Sequence, residues 1–157
     1  MRLVLCAGLS ATMVLGACGS GSLPTGGLFS GLEGDQNARV HISTVAQYGG
    51  PPTIDAPNVV AVGETFTATF STEAFGCDIA DHVAQDRGVA AITLTPYNRR
   101  TDEPGKMCPM VGYLAQRTVS VAFPTPGEKM LSVFGYIEAP DGSVALGTIH
   151  KTITVTP

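Results

Sequence analysis

The segment TFTATFST, residues 65–72, decides the fold class of this chain. Phe66, Ala68 and Phe70 alternate with threonine and serine, so the apolar side chains fall on one side of an extended backbone. A period of two, with small and mostly β-branched polar residues on the other side, is typical of a half-buried β-strand. The segment therefore predicts a strand whose phenylalanines point into a core.

Similar segments recur along the chain. Two more segments alternate strongly, 118–123 and 147–156. Four others alternate weakly, at 38–46, 57–63, 89–96 and 129–138. Turn-forming residues separate them, at 49–52, 63–64, 86–88, 124–127 and 141–142. About seven short strands in this arrangement predict an all-β, immunoglobulin-like sandwich of two sheets.

Residues 123–142, FPTPGEKMLSVFGYIEAPDG, resemble the penultimate strand and hairpin of many bacterial immunoglobulin-like domains. This resemblance implies a fold and no particular activity. The Cys–Trp–Cys core of antibody domains is missing, because the chain has no tryptophan.

Residues 77–88, CDIADHVAQDRG, break the strand pattern. Asp78 can cap a helix, Ile79 and Val83 are spaced four apart, and Gly88 can end it. The segment therefore predicts one short helix across an end of the sandwich.

Cys77 and Cys108 are expected to form a disulfide, because an exported protein meets an oxidising compartment. The loop they close would stabilise the fold by roughly 3–4 kcal/mol in the chain-entropy description.

That export is indicated by the N-terminus. Arg2 precedes an apolar stretch, residues 3–15, which is long enough for a signal peptide and too short to span a bilayer. The stretch ends in Leu15-Gly16-Ala17-Cys18, which resembles the lipobox of bacterial lipoproteins. The resemblance implies a diacylglyceryl group on the sulfur of Cys18 and cleavage of the signal peptide before it, so that Cys18 becomes the new N-terminus. The alternatives are an ordinary secretory peptide and an uncleaved apolar anchor.

The predicted organisation is a signal peptide at 1–17, a lipidated cysteine with a Gly/Ser-rich tether at 18–37, and a β domain at 38–157. As a flexible coil, residues 19–37 have an end-to-end distance of about 24 Å. The anchor places the domain on a bacterial cell membrane or outer membrane, facing the periplasm or the exterior, with membrane lipid as one partner. Without Arg2 the chain has 8 basic and 13 acidic residues, and this charge of −5 disfavours nucleic acid.

No catalytic motif such as GxSxG, HExxH or a Walker loop is present, so we expect no enzyme and no cofactor. The first functional hypothesis is a non-enzymatic binding or accessory module for an envelope or extracellular protein. Because loops carry most binding sites, we expect its surface near the disulfide, at Asp78, Asp81, His82, Arg99 and Arg100.

The alternative hypothesis is a small copper-handling or redox lipoprotein. Met107, Cys108 and Met110 would provide soft ligands, together with His41, His82 or His150. A hard-cation site at Asp78, Asp81 and Asp86 is also weighed, although the segment lacks the spacing of an EF-hand loop.

Overall fold

In a computed structural model, described for residues 40–102, 105, 107–139 and 141–157, the chain forms β-strands and turns. The strands are β1 (Val40–Ile42), β2 (Thr44–Val45), β3 (Val59–Ala61), β4 (Phe66–Phe75), β5 (Asp78–Arg87), β6 (Ala91–Arg100), β7 (Gly112–Val121), β8 (Gly127–Glu138) and β9 (Val144–Thr156). The described residues contain no helix, and therefore none long and apolar enough to cross a membrane. The signal peptide and the tether predicted at 1–37, including Cys18, lie outside the described residues.

The nine strands form one sheet that curls around a single core. From β6 the order runs through β8, β2 and β4 to β7, while β5 pairs with the other side of β6. The long β8–β9 hairpin is antiparallel, and β9 also pairs in parallel with β3. The predicted all-β class is confirmed in this coarser form, as a curled open sheet with one disulfide.

The core contains the residues that the alternation predicted. Phe66, Ala68 and Phe70 are buried, and the phenyl ring of Phe66 stacks on that of Phe123 with 6.0 Å between centroids. The inward residues of β6, β7, β8 and β9 complete the same cluster, among them Ile92, Leu94, Val119, Val121, Leu131, Val133, Ile153 and Val155. Each large apolar side chain contributes about 1.5–3 kcal/mol when it is fully buried.

The predicted strand at 38–46 is present as two short pieces, because the chain changes its pairing partner at Ser43. β1 pairs with β6, and β2 pairs with β8 and β4. Gly135 permits this crossing, since a Cβ atom there would lie 2.8 Å from the Ser43 carbonyl oxygen. The main chain at Ser43 donates to the Pro96 carbonyl and accepts from the Tyr136 amide.

The helix predicted at 77–88 is wrong. Asp78–Arg87 is strand β5, which pairs antiparallel with β6, with a bulge between Ala80 and Val83. One pair of apolar residues four apart is weak evidence for a helix, and the pairing of eight β5 residues with β6 outweighs it. The predicted turn at Gly88 is confirmed, since its amide donates to the Ala91 carbonyl at 2.8 Å and closes the β5–β6 hairpin.

Candidate functional site

The Cys77–Cys108 disulfide is present, with 2.06 Å between the sulfurs. It joins the turn between β4 and β5 to the loop that leads into β7. In the same region, Gly76 adopts a positive φ of 67° and its amide donates to the Val111 carbonyl. This end of the β5–β6 hairpin is called the disulfide end below.

The predicted binding residues lie on β5 and β6 rather than in loops. Asp81 accepts a hydrogen bond from His82 at 2.8 Å and forms an ion pair with Arg99 at 3.1 Å. The hydrogen bond from His82 is the main cause that lowers the pKa of Asp81, and the charge of Arg99 adds to it. The His82 ring also stacks on Tyr97, with 4.8 Å between centroids.

The other two predicted residues form separate contacts. Arg100 pairs with Asp102 at 3.2 Å. Asp78 Oδ2 lies 3.5 Å from His41 Nε2, while Asp78 Oδ1 is buried and has no hydrogen-bond partner in the described part of the chain. The five predicted residues therefore lie around one end of the hairpin but do not converge on one point.

A buried polar network lies between the apolar core and the disulfide end. Arg117 is 5% exposed, and its guanidinium donates to Asn98 Oδ1 at 2.6 Å, Thr72 Oγ1 at 2.9 Å and the Tyr97 carbonyl at 3.0 Å. Ser43 Oγ donates to the same Asn98 oxygen at 2.9 Å. Every one of these acceptors is uncharged.

Arg117 has no carboxylate within 4.0 Å among the described residues. Burial lowers the pKa of its guanidinium, and the charge of Asp81 acts through space in the opposite direction. Because the guanidinium contacts only neutral oxygens, no group inside the network neutralises its positive charge.

A groove separates β5 from β7, which are two of the outer strands of the curled sheet. Among the described strands, β5 pairs only with β6 and β7 only with β4. The groove has a volume of about 470 Å³ and is lined by the residues Ala80, Asp81, Val83, Gln85 and Gln116 to Ser120, Arg117 included. We call it the β5–β7 groove.

The disulfide end also exposes a cluster of large apolar side chains. We call it the apolar end, and its members are Phe75, Ile79, Met107, Met110, Val111 and Tyr113. Met107 and Met110 are 95% and 87% exposed, so both side chains lie on the surface. Single exposed apolar residues are ordinary on protein surfaces, whereas several of them at one end of a domain indicate an interaction site.

The metal-site residues weighed from the sequence are dispersed. Cys108 is in the disulfide, and His150 shares a 3.1 Å hydrogen bond with Ser132. Asp78 and Asp86 are eight residues apart on one strand, a separation of about 26 Å that no single ion bridges. The described residues contain no group of three or more His, Cys, Asp or Glu side chains that could hold a metal ion.

Comparison of the chain with protein families, curated proteins and solved structures finds no match.

The sequence reasoning missed Arg117 and Asn98. A signal was available, because Arg117 continues the inward alternation of Val119 and Val121, and Asn98 continues that of Ile92 and Leu94.

Proposed function

We propose that this chain is a bacterial lipoprotein, anchored through lipidated Cys18, whose β domain is a non-enzymatic binding module. We further propose that the domain belongs to the immunoglobulin-like sandwiches. The single core supports this, because β4 and β7 on one side and β6, β8 and β9 on the other contribute to it.

The observation that carries the binding function is the β5–β7 groove. Both of its walls are outer strands, and the outer side of such a strand presents backbone amides and carbonyls to an added strand. We therefore propose that the groove receives an extended segment of a partner protein, which pairs with one or both of these strands.

The charges around the groove select a partner segment that carries a carboxylate. Asp81 is already paired with Arg99, whereas Arg117 has no anionic contact within the described residues. Asp81, Arg99 and Arg117 together carry one net positive charge beside the groove. A carboxylate near Arg117 would compensate a buried cation, which is favourable where the dielectric constant is low.

Site-specific photo-crosslinking tests the groove. A photoreactive amino acid replaces Gln116, which lines the groove, or Thr152, which is exposed on β9 as the matched control. We expect an adduct from position 116 in the cells that make the protein, none from position 152, and an aspartate or glutamate in the cross-linked partner peptide. Equal adducts from both positions, or a partner peptide without a carboxylate, would contradict the proposal.

The anchor has its own test. Replacing Cys18 by serine should leave unprocessed precursor and abolish labelling by a fatty-acid probe, because the thiol is the acceptor of the lipid. Continued labelling of the serine variant would show that Cys18 is not the acylated residue.

The alternative, a copper or redox lipoprotein, requires Cys108 as a thiolate. Because Cys108 is bonded to Cys77, that ligand would become available only after reduction. Intact mass under non-reducing conditions, together with copper content, separates the two hypotheses. Two free thiols with one copper per chain would favour the alternative.

A further inference from the structure

The apolar end is built from two separate segments of the chain, 75–79 and 107–113, which the fold holds together. Phe75 pairs with Gly112, the Gly76 amide donates to the Val111 carbonyl, and the Tyr113 hydroxyl donates to the Asp78 carbonyl at 2.9 Å. The disulfide fixes Met107 and Met110 beside them, because Cys108 lies between these two methionines. The cluster is thus a defined surface of the domain.

The part of the chain nearest the proposed anchor meets the domain at this same end. Val40, the first described residue, and Ile79 pair with Arg99 from opposite sides. Their Cα atoms therefore lie about 10 Å apart, twice the spacing of neighbouring strands. The segment between Cys18 and Val40 consequently joins the domain beside the apolar end.

The opposite end of the β5–β6 hairpin lies much farther from this junction. Val89 lies in the turn beyond β5, and ten strand residues separate this turn from Cys77, a distance of about 30 Å. The end-to-end distance that the sequence predicts for residues 19–37 is about 24 Å. A tether of this reach brings the apolar end to the membrane surface more readily than it brings Val89 there.

We propose that the apolar end docks on the lipid bilayer, with Met107, Met110 and Tyr113 entering the interface between headgroups and acyl chains. The inference rests on the proposed lipidation of Cys18. Side chains with a large apolar surface, and tyrosine with its polar hydroxyl, are the residues that partition into this interface.

Charge does not drive this contact. The two arginines nearest the apolar end are paired, Arg99 with Asp81 at 3.1 Å and Arg100 with Asp102 at 3.2 Å. These two ion pairs carry no net charge, so we expect docking to depend on apolar contact and to occur on zwitterionic lipid and at high salt.

Tryptophan fluorescence provides the test, because the chain has no tryptophan of its own. The full-length lipidated protein is purified from membranes as the variants Met110→Trp and Val89→Trp, and Met107→Trp serves as a second reporter. Val89 is the matched control, since it is 66% exposed at the far end of the hairpin. Each variant is reconstituted into phosphatidylcholine vesicles with or without brominated acyl chains.

We expect brominated lipid to quench the tryptophans at 110 and 107 about twofold or more, and the tryptophan at 89 hardly at all. The quenching should persist at high salt. Equal quenching at all three positions, or none at 110 and 107 in protein whose mass includes the acyl groups, would overturn the membrane docking and leave the lipoprotein proposal intact. A purified mature chain without acyl groups on Cys18 would instead overturn the anchor, and the docking with it.

Discussion

Replacing Arg117 by alanine is the sharpest perturbation of the buried network. The change removes the donor of three hydrogen bonds of 3.0 Å or shorter, to Asn98, Thr72 and the Tyr97 carbonyl. Asn98 Oδ1 keeps the hydrogen bond from Ser43, so two acceptors, Thr72 Oγ1 and the Tyr97 carbonyl, lose their guanidinium donor.

The expected cost follows from those two acceptors. An unsatisfied buried polar group costs about 1–3 kcal/mol, and the space left by the side chain adds to this. Removing the arginine also removes the free-energy cost of burying a cation, and this offsets part of the lost stability. We therefore expect the free energy of unfolding to fall by about 3–4 kcal/mol.

Urea unfolding followed by circular dichroism measures the loss, and thermal unfolding should show a Tm lower by about 12–16 °C for a domain of this size. Arg99→Ala is the control, because Arg99 is a partly exposed member of a surface pair worth about 0–1 kcal/mol. Arg117→Met separates the cost of the lost hydrogen bonds from the cost of the empty space, because methionine fills most of the volume and still removes the donors. A loss below about 1 kcal/mol for Arg117→Ala would refute the view that this network supports the fold.

Three further predictions concern other parts of the domain. Cys77→Ala should lower the stability by roughly 3–4 kcal/mol in oxidising buffer, and an unchanged calorimetric transition would show that the bond does not stabilise the fold. Gly135→Ala should cost about 1–3 kcal/mol because its Cβ would meet the Ser43 carbonyl, whereas Gly50→Ala, with open space around its Cβ, should be neutral in the same urea titration. Folding lowers the pKa of Asp81, so its contribution to the free energy of unfolding is present above its ordinary pKa of 3.8 and is lost as the pH falls through the lower folded value. Asp81→Asn should therefore reduce the loss of stability that urea titrations show between pH 2 and 5. An unchanged dependence on pH would count against this.

The sequence predicts the strands well where one face is buried and the other is solvated. The alternation of Phe66, Ala68 and Phe70 identifies β4 and its inward face, because side chains on a strand point to opposite sides in turn. β5 fails the same criterion, since it is an outer strand with mostly exposed residues and carries a bulge. Its pairing with β6 determines its conformation, and no local pattern records such pairing.

The buried network escaped prediction for a different reason. Hydropathy alternation assigns polar residues to the outside, yet Thr72 and Arg117 occupy inward positions on β4 and β7 and are buried. Their partners come from positions 19 to 74 residues away along the chain, as in the contacts of Arg117 with Asn98 and Ser43. Only the folded sheet brings such groups together, so the β5–β7 groove could not be inferred from spacing.

The pairing of β9 has a consequence for how the domain folds. Val155, near the last residue of the sequence, pairs with Val60 on one side and with Gly127 on the other. Val60 and Val155 are 95 positions apart in the sequence, and contacts between such distant positions form slowly, so we expect the β3–β9 pairing to form late in folding.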